Sequence, residues 1–213
     1  MSQSPEKLDA GREENGMNPT QAAEHLRVIR ELMERPIRST TRSGLSGIVA
    51  GLLALAGCAA TRAIASEFDG HAAPPLAVGL VWLGVFVLAV GLDLLISWRR
   101  TRELGRSFWT RTTRQTGLAI APAFILGGIS TWIFAGYGLW YLIPGAWMLY
   151  YGLAAWTIGM FSIAEVKVLG AAFIVAGVIC HFHFAAQPVA ALAATFGGFH
   201  LLYGVVVWKR HGG

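Results

Sequence analysis

Apolar residues run along this chain in six blocks, at 44–66, 75–97, 116–135, 137–160, 164–184 and 188–208. Each is near the roughly 20 residues that an α-helix needs to cross a bilayer. Pro75 and Pro188 fall in the first turn of their blocks, where a missing N–H does no harm. Little more than Gly136 divides the third block from the fourth. Together these two are too long for one crossing, so they read as two spans in a tight hairpin. The expected fold class is an all-α integral membrane protein of six transmembrane helices, with residues 44–208 as the transmembrane domain.

The flanks follow a different pattern. Residues 1–17 are polar and aperiodic, which reads as a disordered tail. Residues 18–43 read as an amphipathic helix and linker. Asn18 caps, Pro19 takes the first helical position, and Gln21 completes a capping box. Ala22, Leu26, Ile29 and Met33 form an apolar seam that Leu32 widens. The other face carries Glu24, Arg27, Arg30, Glu31, Glu34 and Arg35, with Arg27–Glu31 and Arg30–Glu34 four apart. Pro36 ends the helix. Residues 209–213 form a short polar tail. The polar start also predicts that the first apolar block inserts as a permanent anchor and not as a cleaved signal.

Charge adds an orientation. The chain is 54% apolar and 14% charged, with mean hydropathy +0.53. Residues 98–114 hold Arg99, Arg100, Arg102, Arg106, Arg111 and Arg114 against the single acid Glu103. Such a segment cannot sit in hydrocarbon, and short Lys/Arg-rich loops stay in the cytoplasm. With that loop inside, the N-terminus, the 161–165 link and the C-terminus are inside as well. Every one of the 17 Lys and Arg residues except Arg62 then lies on or beside the inner side. The expected topology is therefore N-in/C-in. The net charge of +5 is explained by orientation and anionic headgroups, which argues against nucleic-acid binding.

Two pairs of segments hint at an internal repeat. Ala123–Gly128 (AFILGG) resembles Ala172–Gly177 (AFIVAG), and Tyr151–Trp156 (YGLAAW) resembles Tyr203–Trp208 (YGVVVW). Their order suggests that spans 3–4 and 5–6 are duplicated hairpins.

Polar residues inside spans are the candidates for function. Asp93 is the one acid well inside a span, about 7 Å from the inner boundary at 1.5 Å per residue. Pairing with Arg99, Arg100 or Lys167 is the structural reading, and a proton or cation relay the functional one. His181, His183 and His200 suggest a metal or haem site, but depth separates them. His181 lies near the outer boundary and His200 near mid-membrane, an offset of roughly 13 Å. A tighter outer cluster is His183 with His71 and Asp69. Cys58 and Cys180 share a depth and read either as small apolar packing groups or as a pair. The fourth span is dense in aromatics, with Trp147, Tyr150, Tyr151 and Trp156 deep and Pro144-Gly145 ahead of them. These either pack between helices or line a cavity for an apolar or cationic ligand. No GxSxG, HExxH or phosphate-cradling loop is present, so no catalytic residue, cofactor or metal is expected. An intramembrane enzyme would have to be built on His181, His183 and His200.

Ala22–Arg35 (AAEHLRVIRELMER) and Phe196–Gly204 (FGGFHLLYG) resemble the opening and closing segments of a family of small bacterial multi-span membrane proteins. The resemblance implies a bacterial inner-membrane location, but no activity and no functional residues. The sequence reading is thus a non-enzymatic sensor, scaffold or assembly partner. It would act in the bilayer through a protein partner at residues 18–35 and 98–114, or through a second copy of itself. The alternative is a small-solute or ion transporter or channel using the aromatic fourth span, Asp93 and His200.

Overall fold

A computed structural model describes residues 20, 23–28, 44–68, 74–103, 105, 107–160, 162–183 and 187–211. Among the described residues every regular element is helical. Met1–Pro36 forms one unit and Ile37–Gly213 another. In the first, residues 23–28 are helical, and Arg27 pairs back to Glu24 at 2.7 Å. Thr20 is also helical, and the remainder of 18–35, with Glu31 and Glu34, lies outside the described residues.

The second unit holds the apolar blocks. Helix α1 is Gly44–Ser66, α2 is Pro75–Glu103 and α3 is Arg111–Gly136. A 3₁₀ turn, Trp140–Leu142, leads into α4, Ile143–Gly159. Helix α5 is Ala164–His183. Helix α6, Pro188–Leu192, runs through a π-helical segment, Ala193–Phe199, into α7, His200–His211. Five helices, counting 188–210 as one, are long and apolar enough to cross a membrane. The chain is a multi-pass membrane protein on that ground. Helix α4 falls short of these at 17 residues. Its start is set by Pro144, which sits in the first turn and does not bend a longer helix.

The helix bounds differ most from the sequence pattern at the head of the fourth block, where α4 begins at Ile143 and not at 137, and at the Arg-rich segment. Helix α2 does not stop at residue 97 but continues to Glu103, and α3 begins at Arg111. Most of residues 98–114 is therefore helical, because arginine is a good helix former and nothing breaks α2 before Gly105. Gly105 has φ +65°, and its N–H donates to Arg102 O at 3.0 Å, which is a left-handed C-terminal cap. Thr110 caps α3, its Oγ1 accepting from Thr113 N at 3.2 Å. At the other end of α3, Gly138 (φ +73°) makes the hairpin turn. Leu139 N–H donates to Phe134 O at 2.7 Å and Gly138 N–H to Ala135 O at 3.2 Å, a Schellman motif.

Helices α1, α4, α5 and α6–α7 build the core, in which Phe173, Met148 and Val207 are fully buried. Helices α2 and α3 flank it. Only 6% and 11% of their apolar windows are buried, against 28–33% for α1, α5 and α6–α7.

The core is closed by glycines at seven-residue spacing. Gly145 and Gly152 on α4 face Gly177 and Gly170 on α5. A Cβ on Gly152 would lie 2.8 Å from Gly170 O, one on Gly177 would lie 3.0 Å from Gly145 O, and one on Gly170 would strike Trp156 N. The same arrangement recurs between the chain's ends. Gly197 in the π-helical segment and Gly204 on α7 face Gly51 and Gly44 on α1. A Cβ on Gly44 would lie 2.6 Å from Gly204 O and 2.7 Å from Trp208 N, and one on Gly51 would lie 2.9 Å from Gly197 O. Both interfaces are antiparallel. In each, a glycine of one helix seats against the Gly and Trp of a Tyr-Gly-x-x-x-Trp run on the other. The YGLAAW and YGVVVW runs thus pack alike, but against α5 and α1 and not within the 3–4 and 5–6 hairpins that the sequence suggested. Lipid tails are as apolar as leucine, so membrane helices associate through this close van der Waals contact.

Candidate functional site

The polar centre of the core is His200. Its backbone N–H donates to Gly197 O at the end of the π-helical segment. Its ring Nδ1 lies 2.9 Å from Phe196 O. A carbonyl only accepts, so Nδ1 carries the proton. Nε2 lies 2.6 Å from the Tyr151 hydroxyl on α4, and in the neutral ring it accepts that proton. Both ring nitrogens are satisfied at a residue that is 6% exposed. Rings close the rest of the space. Phe173 lies 4.6 Å from Tyr151 and 5.3 Å from His200, centroid to centroid, and Phe196 stacks on His200 at 6.0 Å. The π-helical segment sets this geometry by placing Phe196, Phe199 and His200 together. Such segments often mark functional positions.

A second polar group approaches from outside the core. Asp93 is exposed on the flanking helix α2. Its carboxylate is within electrostatic reach of Ser46 on α1 and of Tyr151 and Tyr203. Lys167, one of its expected cationic partners, instead has its ammonium 4.6 Å over the Trp156 ring. Glu165, also within reach of Tyr203, pairs with Arg210 at 3.2 Å.

The other histidines stand apart. His181 Nδ1 is 2.7 Å from Gly177 O, and its ring packs on Gly145. His200 is held at Tyr151, six residues further along α4, so the two differ in depth by about 9 Å. His183 is exposed at the end of α5, while His71 and Asp69 lie outside the described residues. Among the described residues no group of three or more His, Cys, Asp or Glu is arranged to hold a metal. Cys58 and Cys180 are buried free thiols in one core cluster, and Cys58 Sγ lies 3.6 Å from Val189 O.

The deep aromatics of the fourth block each find a partner on a neighbouring helix. Trp147 Nε1 donates to Thr131 Oγ1 at 2.7 Å, and Thr131 in turn to Gly127 O. Trp82 Nε1 on α2 likewise donates to Thr61 Oγ1 at 3.2 Å, and Thr61 to Gly57 O. The two tryptophan rings meet at 5.8 Å. Tyr150 OH bonds Ser130 Oγ at 2.9 Å. These side chains fill the space between helices. One open groove is lined by Arg62, Ser66 and residues 187–190, and another by Trp132, Ile133, Gly136 and Tyr137. Neither reaches His200.

Of the Arg-rich segment, Arg99, Arg102, Arg111 and Arg114 are exposed and Arg100 is half-buried. Arg106 lies outside the described residues. Comparison of the chain with protein families, curated proteins and solved structures finds no match. Sequence reasoning did not single out Tyr151, Phe173 or Phe196 as the surroundings of His200. The one available signal was Tyr151 at the head of the repeated Tyr-Gly run.

Proposed function

We propose that this chain is a six-span, N-in/C-in protein of a bacterial inner membrane that acts as a non-enzymatic sensor, scaffold or assembly partner. Its contact elements are the 18–35 helix and the Arg-rich segment 98–114. The observation that carries the reading is the filled core. The buried polar pair, His200–Tyr151, spends its hydrogen bonds internally and is sealed by Phe173 and Phe196. The Nε2 lone pair faces the Tyr151 hydroxyl, so neither a substrate nor a metal can take it without breaking that bond. The sixth span is α4. Its 17 residues and the preceding 3₁₀ turn extend about 31 Å, against roughly 30 Å of hydrocarbon.

The test is purification of the tagged full chain from native membranes in mild detergent, beside a variant lacking residues 18–35. The expected result is a stoichiometric protein partner that the deletion loses while the helical spectrum is retained. An equal yield of that partner from both would sink the reading. A transporter remains the second reading, favoured by one observation. Asp93 on α2 lies within electrostatic reach of Tyr151 and Tyr203. On that reading Asp93→Asn abolishes uptake in vesicles; on the first it leaves partner binding intact.

A further inference from the structure

We infer that the Arg-rich ends of α2 and α3 form a binding surface for anionic phospholipid headgroups. The depth of the arginines is the first argument. Residues 75–97 of α2 rise about 34 Å, enough to cross the hydrocarbon. The helix then continues through Glu103, a further rise of about 9 Å. The headgroup layer is roughly 5–8 Å deep on each side. Arg99, Arg100 and Arg102 therefore stand at the depth of lipid phosphates on a rigid helix. Arg111 and Arg114 occupy the first turns of α3 and reach the same level from the other side of the turn.

The second argument is the pairing of aromatics with cations. Trp98 carries Arg102 at 5.3 Å and Trp156 carries Lys167 at 4.6 Å. Trp109 stands 76% exposed beside Phe108 in the α2–α3 turn, two residues before Arg111. At the opposite end Trp132, Tyr137, Trp140 and Tyr141 are also exposed, and among the described residues these rings have no such cation contact. An exposed indole seats at the headgroup boundary, and guanidinium groups around it bind phosphate oxygens in pairs. Clusters of four to eight basic residues beside a span are known to take up anionic lipid. Within residues 98–114 only Glu103 competes for the six arginines.

The inference rests on the membrane-spanning reading and shares segment 98–114 with the partner reading; the two tests stay distinguishable, since deleting residues 18–35 probes the partner and leaves this segment in place. The experiment is native mass spectrometry of the full chain in detergent, titrated with phosphatidylglycerol or with phosphatidylcholine of the same acyl chains. The expected result is retention of phosphatidylglycerol about tenfold tighter, from just over one unit of ~1 kcal/mol per basic residue. R111Q/R114Q, which leaves four arginines to hold orientation, and W109A should each lower that preference several-fold. Equal retention of the two lipids overturns the inference. So does a preference that survives R111Q/R114Q but is lost in K167Q/R210Q, which moves the site to the α5–α7 rim. Complete displacement by millimolar inorganic phosphate would mean a free-anion site instead.

Discussion

Tyr151→Phe removes one oxygen and leaves the Nε2 lone pair of a buried histidine without a donor. A buried polar group deprived of its partner costs about 1–3 kcal/mol in soluble proteins. Interhelical hydrogen bonds in membranes average nearer 0.6 kcal/mol, so a loss of about 1 kcal/mol is expected for Y151F. His200→Leu should cost more, because it orphans both the Phe196 carbonyl and the Tyr151 hydroxyl. The double variant Y151F/H200L then leaves one unpaired carbonyl instead of two unpaired groups. Its loss should fall short of the sum of the single losses by about 0.5–1 kcal/mol. Mixed-micelle denaturation of the four proteins measures this, and strict additivity would refute the pairing. Part of this site was legible in the sequence. A lone histidine at mid-span is more often hydrogen-bonded to a tyrosine, threonine or backbone carbonyl than catalytic, and His200 bonds Tyr151 and the Phe196 carbonyl. Which tyrosine was not legible, because Tyr151 lies 49 residues away and only the packing of α4 beside the π-helical segment brings it there.

Helix packing makes a sharper contrast among the glycines. On Gly152 a side chain meets Gly170 O, Ile174 N and Ile174 Cγ1, each at 2.8 Å, two of them backbone atoms that cannot rotate away. Gly152→Val should therefore destabilise by the ~1–3 kcal/mol typical of an overpacked core, or more. Gly44→Val should do the same at the α1–α7 interface. Gly84 and Gly91 on α2 have the same seven-residue spacing but meet nothing within 4 Å. Gly91→Val should change stability by less than about 0.5 kcal/mol. Thermal melts of the detergent-solubilised variants separate the two cases, and a Gly91→Val loss as large as that of Gly152→Val would show that α2 is covered. The sequence pattern located all the apolar helices because their length and hydropathy are local properties. It ended α2 too early and began α3 too late, since it treated charge as a sign of loop. A helix continues through arginines once it has left hydrocarbon, and here Gly105 and Thr110 decide where the helices end and begin. The sequence likewise suggested a repeat from the Tyr-Gly runs. It could not show that the second copy closes on α1, because that contact joins the two ends of the domain.

Whether the domain has five spans or six is decided at α4, and parity makes the answer measurable. An odd number of spans puts the termini on opposite sides, an even number on the same side. Helix α4 is the shortest apolar helix apart from the segments of 188–211, yet it runs the length of a helix long enough to cross. Its Gly145 packs on His181, Gly152 on Gly170 and Gly159 on Lys167. From Lys167 to His181 is about 21 Å of α5, so the two helices are antiparallel companions over most of their length. If α5 crosses the bilayer, the low dielectric on both sides of this contact requires α4 to cross with it, because an unsatisfied backbone end in hydrocarbon is too costly. The proposed N-in/C-in topology has the same parity, since it leaves Arg62 alone of the 17 Lys and Arg residues away from the inner side. Single cysteines report it directly, since Cys58 and Cys180 are buried and should resist a membrane-impermeant maleimide. Tyr137→Cys, at the exposed α3–α4 turn, should label in intact cells. Ser107→Cys, in the α2–α3 turn, and Gly213→Cys should label only after lysis. Labelling of Gly213→Cys in intact cells, with Ser107→Cys still protected, would remove α4 from the count and put the C-terminus outside.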